Sequence, residues 1–543
     1  MRETVETVEI QPPPKEHSVG RAVVRSAGMI GMLTLVSRVM GLARDVGGAG
    51  IFGAGPVWDA FAFAWMMPNL FRELFGEGAL NAAFVPVFSD YLVNKSKAEA
   101  VRLFNVVATA LTIVLAAIAV VCILGSYPVQ WILSAHRGVD LSLQFSLIRI
   151  LFPYLLLICL VALAMGLLNS FRHFAAPAFA PIVLNVFWIA GIFVVAPGLS
   201  KTAHGQIMIL AVLILLSGFA QLFVQIPPIL RNGVTLRPVL DFRHPGLKKI
   251  VTLLVPRFIG LAPVKINVFV DGLIAMTLAR PGANSVLYYG NRMMQFPLAI
   301  IGIAMATAIF PILARYGARN EIGNIKRAAS QTLRLTLIIS VPASLGLVFL
   351  AKPIIRLFFQ LGEFTPEAVS RAAAVLVFYG AGVWIFCCLQ IITRIFYSIG
   401  DTKTPTKVAV STMVLNLILN LSLVGVLDAA GLALSTSICA VINMVVLVYA
   451  LNVRGIQVWG ERLPGFALKL VVAGAAMTAA GLAALNVLPE SSHKMGQLIS
   501  LFVPLAASAA VFLLAAWALR IRELTTLLQA VFTRKKSAAP QGN

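Results

Sequence analysis

The chain of 543 residues is 59% hydrophobic and only 12% charged, with a mean hydropathy of +0.91. A soluble globule carries about a quarter of its residues as charges, so this composition excludes one. The net charge of +22 would suggest a nucleic-acid partner in a soluble chain, but where the charges fall argues against that reading.

The first 20 residues, rich in Glu and Pro, lack the charged-then-apolar layout of a signal peptide, and 1–25 is expected to be a cytoplasmic leader without fixed structure. Fourteen apolar runs follow, at about 27–52, 57–92, 99–126, 141–171, 178–197, 206–230, 247–279, 283–316, 328–351, 366–398, 406–427, 430–451, 465–488 and 495–520. Each is long enough for a hydrocarbon core about 30 Å thick. Irregular backbone cannot face lipid, so the expected fold is an all-α polytopic membrane protein with about 14 transmembrane helices.

Basic residues collect in alternate connections. Arg21 and Arg25 precede the first span, Lys95, Lys97 and Arg102 follow the second, and Arg231, Arg237, Arg243, Lys248 and Lys249 follow the sixth. Arg315, Arg319, Lys326 and Arg327 follow the eighth, and Arg534, Lys535 and Lys536 close the chain. The positive-inside rule then puts both termini in the cytoplasm, which requires an even number of spans.

The first two spans, Gly31 to Tyr91, carry seven charges: Arg38, Arg44, Asp45, Asp59, Arg72, Glu73 and Glu77. A charge at the middle of a membrane helix costs about 2.5–3.5 kcal/mol even on a lenient insertion scale. Seven of them in two adjacent helices call for a shared purpose, most simply a water-filled cavity in the bundle. Arg38 and Asp45 are seven apart and share a helix face, so they are able to bridge, while Arg44 points about 120° away. In the sharper reading Arg38 and Arg44 grip an anion, with Asp45 orienting one of them; a guanidinium donates two parallel hydrogen bonds to a phosphate. Arg292 supplies a third guanidinium from a distant span. Asp59 either caps span 2 or serves the cavity, and Arg72 follows Pro68, where span 2 is able to bend.

A shift of 225 positions lays Phe71 on Phe296, 83–91 on 308–316, Arg102 on Arg327, Pro128 on Pro353 and Phe171 on Phe396. One gap later Pro181 meets Pro405. The unit is six spans, which gives two pseudo-symmetric six-helix lobes, 26–232 and 233–454, in the same orientation and with a path between them. Spans 13 and 14 (455–521) stand outside the repeat, and 522–543 is a basic tail. The repeat breaks at the charges: Glu77 falls opposite Gly302, Arg72 opposite Pro297 and Arg38 near Pro263, whereas Asp45 lies one gap from Asp271. Such asymmetry suits an asymmetric amphiphile.

Several stretches resemble one known family: SRVMGLARD (37–45), Asp59 in WDAF, PNLFRELFGEGALNAAFVP (68–86), YYGNRMMQFP (288–297) and RIFYSIGDTKTP (394–405). They look like the MurJ (MviN) lipid II flippases of the multidrug/oligosaccharidyl-lipid/polysaccharide exporter superfamily, with the likeness running from about Ser26 to Arg454. The resemblance implies an inner-membrane transporter that carries lipid II to the outer leaflet. It also implies that spans 13 and 14 line a groove for the lipid tail. Asn291 stands where some relatives carry an acidic residue, so no carboxylate role is expected there, and 394–405 is expected to be a cytoplasmic gate or hinge.

Asp271 is an isolated membrane carboxylate in span 7; Asn416 and Asn420 in span 11 and Thr436 in span 12 are placed to meet it with hard oxygens. Such a set suits a monovalent cation, and the resemblance implies sodium there. The bland reading is that these polar groups tie helices together.

The five cysteines lie inside apolar spans without metal-ligand spacing and read as small hydrophobes. Residues 48–53 match GxGxxG but follow no strand, so they read as close helix packing. There is no Walker A motif, and the six histidines form no constellation, so the chain is expected to be no enzyme and to run on a Na+ or H+ gradient, the membrane potential or downhill use of its substrate. The leading expectation is a monomeric flippase whose partners are lipid II, membrane lipids and cell-wall synthesis proteins, with cavity residues Arg38, Arg44, Asp45, Asp59, Arg72, Glu77 and Arg292. The alternatives are a drug/cation antiporter or polysaccharide-lipid exporter of the same superfamily, and a non-transporting scaffold for cell-wall synthesis.

Overall fold

The computed structural model describes residues 16–72, 80–137, 141–459, 463–488 and 493–524. Glu73, Glu77, most of the leader and the basic tail lie outside the described residues. Among the described residues there is no strand. The first half of the chain runs α1 (Glu16–Phe52), α2 (Pro56–Phe71), α3 (Leu80–Asn94), α4 (Lys97–Arg137), α5 (Ser142–Leu151), α6 (Tyr154–Ser170), α7 (Ala175–Ala190), α8 (Ala196–Leu199) and α9 (Ala203–Arg231). The second half runs α10 (Pro245–Leu278), α11 (Ala283–Pro297), α12 (Ala304–Ala318), α13 (Ile322–Phe349), α14 (Ala351–Phe359), α15 (Pro366–Ser398), α16 (Lys403–Leu427) and α17 (Ala429–Val453). A final pair, α18 (Leu463–Val487) and α19 (Lys494–Ala518), follows.

The helix starts follow local chemistry. Thr202 and Thr365 accept hydrogen bonds from the amides of Gly205 and Ala368, each at 3.2 Å, and so cap α9 and α15. Pro56, Pro245 and Pro366 sit in the first turns of α2, α10 and α15, where a missing N–H costs nothing. Three expected spans are interrupted. Span 4 breaks between α5 and α6 at Phe152–Pro153, and π-helical segments at Gly191–Val195 and Leu298–Ile303 divide spans 5 and 8. Eleven helical stretches of the described chain are long and apolar enough to cross a membrane. The other three expected spans fall on α1, on α2 with α3, and on α10, which hold Arg44, Asp45, Asp59 and Asp271. Large apolar side chains such as Val121, Leu124, Phe193 and Phe223 stand on the outside of the bundle, as lipid contact requires.

In the second half α15 is the hub, packed against α11, α12, α13, α14 and α17. In the first half α9 lies on α5, α6 and α7, while α1 lies on α7. The halves meet where α2 packs on α10 and α11, and where α1 meets α14. Trp58 stacks between Phe52 and Tyr289 at 5.5 and 6.2 Å, and Tyr289 goes on to touch Phe359 at 4.7 Å and Phe364 at 5.3 Å. At the same end the Glu363 amide donates to the Gly50 carbonyl at 2.9 Å. Gly53 there has φ +63°, and a Cβ on it would strike the Glu363 carbonyl, so this close approach of the two halves needs glycine. The cysteines are free; four are buried and Cys122 is half-buried.

Candidate functional site

Asp45, on the last third of α1, is fully buried. Its Oδ1 accepts from Arg44 Nε and Nη2, both at 3.0 Å, and from the Tyr288 hydroxyl at 2.7 Å. Its Oδ2 lies 2.6 Å from Arg292 Nε. Tyr288 and Arg292 are one turn apart on α11, so a single face of that helix presents both to α1. Arg44 is itself buried: Nη1 donates to Asn185 Oδ1 at 3.3 Å, and its guanidinium lies 4.2 Å from the Trp188 ring centroid. Asn185 in turn donates to the Ser37 carbonyl at 2.9 Å, which fixes α7 to α1. Two guanidiniums face one carboxylate, so the cluster retains a positive charge.

The two-turn bridge between Arg38 and Asp45 does not form: adjacent Arg44 curls back to Asp45, Arg292 takes the other oxygen, and Arg38 is exposed. Gly41 lies between them on the same stripe, and a Cβ there would sit 3.1 Å from Arg292 Nη2. The Arg292 side chain thus lies along α1 and keeps 35% of its surface exposed.

Asp59 caps a helix, but not its own. The α2 N-cap is Gly55 without a side-chain bond. Asp59 instead crosses to α11, where Oδ1 accepts from the Ser285 amide at 2.7 Å and hydroxyl at 3.1 Å, and Oδ2 from the Gly282 amide at 3.2 Å. A carboxylate on free N–H groups at a helix start is favourable because it meets the positive end of the helix dipole. Gly282 adopts φ +87°, which a side chain would resist. Arg72, half-buried, donates Nε and Nη2 to Asn69 Oδ1 at 3.1 and 2.9 Å. Glu77 lies outside the described residues.

The second constellation does assemble. Asp271 of α10 accepts from Asn420 Nδ2 at 2.6 Å on Oδ1 and from Asn267 Nδ2 at 3.5 Å on Oδ2. Asn420 also donates to Asn416 Oδ1 at 2.7 Å, and the Ser435 hydroxyl donates to Asn420 Oδ1. Asn416, Asn420 and Ser435 are buried. Thr436 adjoins through its backbone, since its hydroxyl donates to the Leu432 carbonyl of its own helix at 2.9 Å. One terminal atom of the Asn416 amide stands 3.0 Å from Asn267 Oδ1 and 3.1 Å from Asp271 Oδ1. As nitrogen it donates to both but meets the Asn420 amide nitrogen at 2.7 Å; as oxygen it accepts from Asn420 and faces the other two oxygens. Among the described residues no three His, Cys, Asp or Glu side chains gather as metal ligands.

Sequence reasoning missed Tyr288, Asn185, Ser285, Asn267 and Ser435. Two carried a usable signal: Tyr288 precedes Arg292 by one turn, and Asn267 precedes Asp271 by one turn. The other three become visible only when helices distant in sequence are brought together.

Residues 48–507 match the family model described as lipid II flippase MurJ. A probable lipid II flippase MurJ of Vibrio cholerae serotype O1 is 35% identical over 475 residues, covering 86% of this chain and 90% of that one. A lipid II flippase MurJ of Burkholderia cenocepacia is 33% identical, covering 83% and 87%. Among solved structures, a lipid II flippase MurJ in an inward closed conformation superposes with TM-score 0.74 at 23% identity, over 90% of this chain and 99% of that one. An inward-facing multidrug transporter of the same superfamily gives TM-score 0.63 at 16% identity, over 78% and 97%. At those identities the two structures speak to the fold alone.

Proposed function

Because the chain belongs to the MurJ family of lipid II flippases, we propose that it carries lipid II, an undecaprenyl-diphosphate-linked sugar–peptide, from the inner to the outer leaflet of a bacterial cytoplasmic membrane by alternating access. The observation that carries the reading beyond the family is the convergence of Arg44 and Arg292, from the two halves of the chain, on Asp45. A diphosphate arriving beside this cluster competes with Asp45 for Arg292, the more exposed of the two guanidiniums, and meets Arg38 on the same stripe of α1. Moving Arg292 from carboxylate to diphosphate loosens α11 from α1. Substrate binding is thereby linked to rocking of lobes 26–232 and 233–454 about the path between them. Arg72 and Glu77 serve the sugar–peptide head, while Asp59 holds the start of α11 as a positioning residue. The lipid tail stays in the bilayer along α18 and α19, both termini lie in the cytoplasm, and one copy of the chain carries the whole path.

The donor set at Asp271 fits a monovalent cation: one carboxylate oxygen and the amide oxygens of Asn267 and Asn416 face one another within reach of a small ion. With the ion bound, Asn416 keeps its oxygen inward, where it also accepts from Asn420 at 2.7 Å. The ion supplies charge balance for Asp271 and no chemistry.

The test is translocation of lipid II, and of the same polyprenyl diphosphate without its sugars, by purified protein in vesicles, with and without sodium, proton or potential gradients. Arg292→Ala should stop transport, and Arg292→Lys should restore part of it, because an ammonium keeps the attraction without the fork. Full transport by Arg292→Ala would overturn the diphosphate clamp. Absence of wild-type transport under every gradient would favour the scaffold.

A further inference from the structure

Arg149, on α5, is a charge inside an apolar helix that the transport path does not use. Its Nε donates to Ser126 Oγ at 2.8 Å and its Nη2 to Gln130 Oε1 at 2.5 Å, both on α4, and its guanidinium lies 3.7 Å from the Tyr127 ring centroid. All three partners are neutral, and among the described residues no carboxylate reaches it. A guanidinium cannot lose its proton, so a positive charge beside lipid is left without a counter-ion, with donors to spare.

Its depth in the bundle says what supplies the anion. The apolar run of α4 extends from Leu103 to Ser126, which is about the length that crosses the hydrocarbon. Tyr127, 56% exposed, and Trp131, 74% exposed, follow immediately, as aromatic residues do at the level of lipid headgroups. Ser126, by contrast, is 6% exposed and Arg149 is half-buried, so the guanidinium is held where the apolar run gives way to the belt. We propose that Arg149, Ser126, Gln130 and Tyr127 form a binding site for the phosphate of an anionic phospholipid, with exposed Leu124 and Val120, deeper on the Tyr127 face of α4, bordering its chains. On the orientation proposed above this lipid belongs to the outer leaflet, where the carried substrate is released. Its phosphate would hold α4 and α5 together as a carboxylate would, so the protein takes from the membrane the anion its own sequence lacks there.

The experiment uses the full chain in detergent and follows binding of dioctanoyl-phosphatidylglycerol by native mass spectrometry. Parallel titrations use dioctanoylglycerol, which has the same chains without phosphate, and inorganic phosphate. Saturable binding of phosphatidylglycerol should weaken at least tenfold in Arg149→Gln and less in Arg149→Lys, with dioctanoylglycerol bound weakly and alike by all three. Gln130→Glu supplies the missing carboxylate without emptying the pocket; it should fold at least as well as the parent and bind the lipid at least tenfold more weakly. That variant decides the matter if Arg149→Gln does not accumulate. Unchanged lipid binding in Gln130→Glu, or equal binding of dioctanoylglycerol, would overturn the site. Displacement of the lipid by inorganic phosphate at comparable concentration would make it a free-anion site and overturn the lipid assignment. Binding in detergent reads Arg149 whichever leaflet it faces, whereas cysteine labelling of the loops reads the orientation, so the two proposals fail separately.

Discussion

Asp45 and Asp271 are both buried carboxylates on helices that cross the apolar interior, and their surroundings are opposite in kind. Asp45 is met by two guanidiniums and a phenol; Asp271 is met by amides alone. Burying a carboxylate is costly unless its charge is answered, so the first site is complete and carries positive charge in excess, while at the second only neutral amides answer the carboxylate. The first suits an anionic substrate that competes for a guanidinium; the second suits a small cation that comes and goes. The same residue type, Asp in an apolar helix, thus sits in opposite electrostatic surroundings according to the donors around it.

Neutralising each carboxylate separates the two most sharply. Asp45→Asn strands buried Arg44 without its counter-charge, and breaking such a pair costs about 3–5 kcal/mol. We expect the variant to lose most of its membrane-inserted protein and to melt well below the parent in detergent. Asp271→Asn removes a charge that only amides answer and should melt at or above the parent. Thermal melting followed by size-exclusion chromatography reads both. Equal stability of the two variants would break the comparison.

Tyr288→Phe sharpens the Asp45 side. It deletes one donor at 2.7 Å and leaves both guanidiniums. A hydrogen bond to a charged group contributes about 1.5–3 kcal/mol, so melting should fall, though less than in Asp45→Asn. A drop as large as that of Asp45→Asn would place the phenol, rather than the arginines, at the centre of the cluster.

On the Asp271 side the effect should appear in transport. Asp271→Asn should reduce any dependence of flipping on a monovalent-cation gradient about tenfold, equivalent to about 1.4 kcal/mol of coupling. Wild-type transport that ignores sodium, potassium and pH gradients alike would remove the cation from the comparison.

The bundle itself was legible because a hydrocarbon core sets a minimum helix length: 366–398 is helical over the span expected, and α16 to α19 begin and end within a few residues of theirs. The π-helical segments after Ala190 and Pro297 were not legible, since they alter hydrogen-bond register without altering composition. The charged residues were legible as a group, because charge in an apolar run is conspicuous. Their pairings were not. Asp59 sits near its own helix start, where local rules make it a cap for α2, yet tertiary packing hands it to α11. Arg38 and Asp45 share a stripe, yet a guanidinium from 247 positions further along the chain takes the place Arg38 would have had.

A third carboxylate, outside the membrane spans, supplies the exposed end of the comparison. Asp401, in the turn between α15 and α16, accepts from the amides of Lys403 and Thr404 at 3.0 and 2.9 Å and pairs with Arg454 at the end of α17. Burial would raise its pKa, but the Thr404 hydrogen bonds and the Arg454 charge outweigh that and hold the carboxyl down at about 2. The folded value lies below the unfolded one, which is about 3.9. Its stabilisation is therefore fully present above about pH 4 and is lost as pH falls toward 2. After solvent screening it amounts to about 1 kcal/mol, the smallest of the effects argued here. Asp401→Asn should melt slightly below the parent at pH 5–7, and the gap should close as the pH is lowered toward 2. Asp45→Asn should stay far below the parent across pH 5–7, because its deficit is a stranded guanidinium that does not titrate. A gap for Asp401→Asn that persists unchanged toward pH 2 would mean that the turn is held by its backbone geometry rather than by the Asp401 charge.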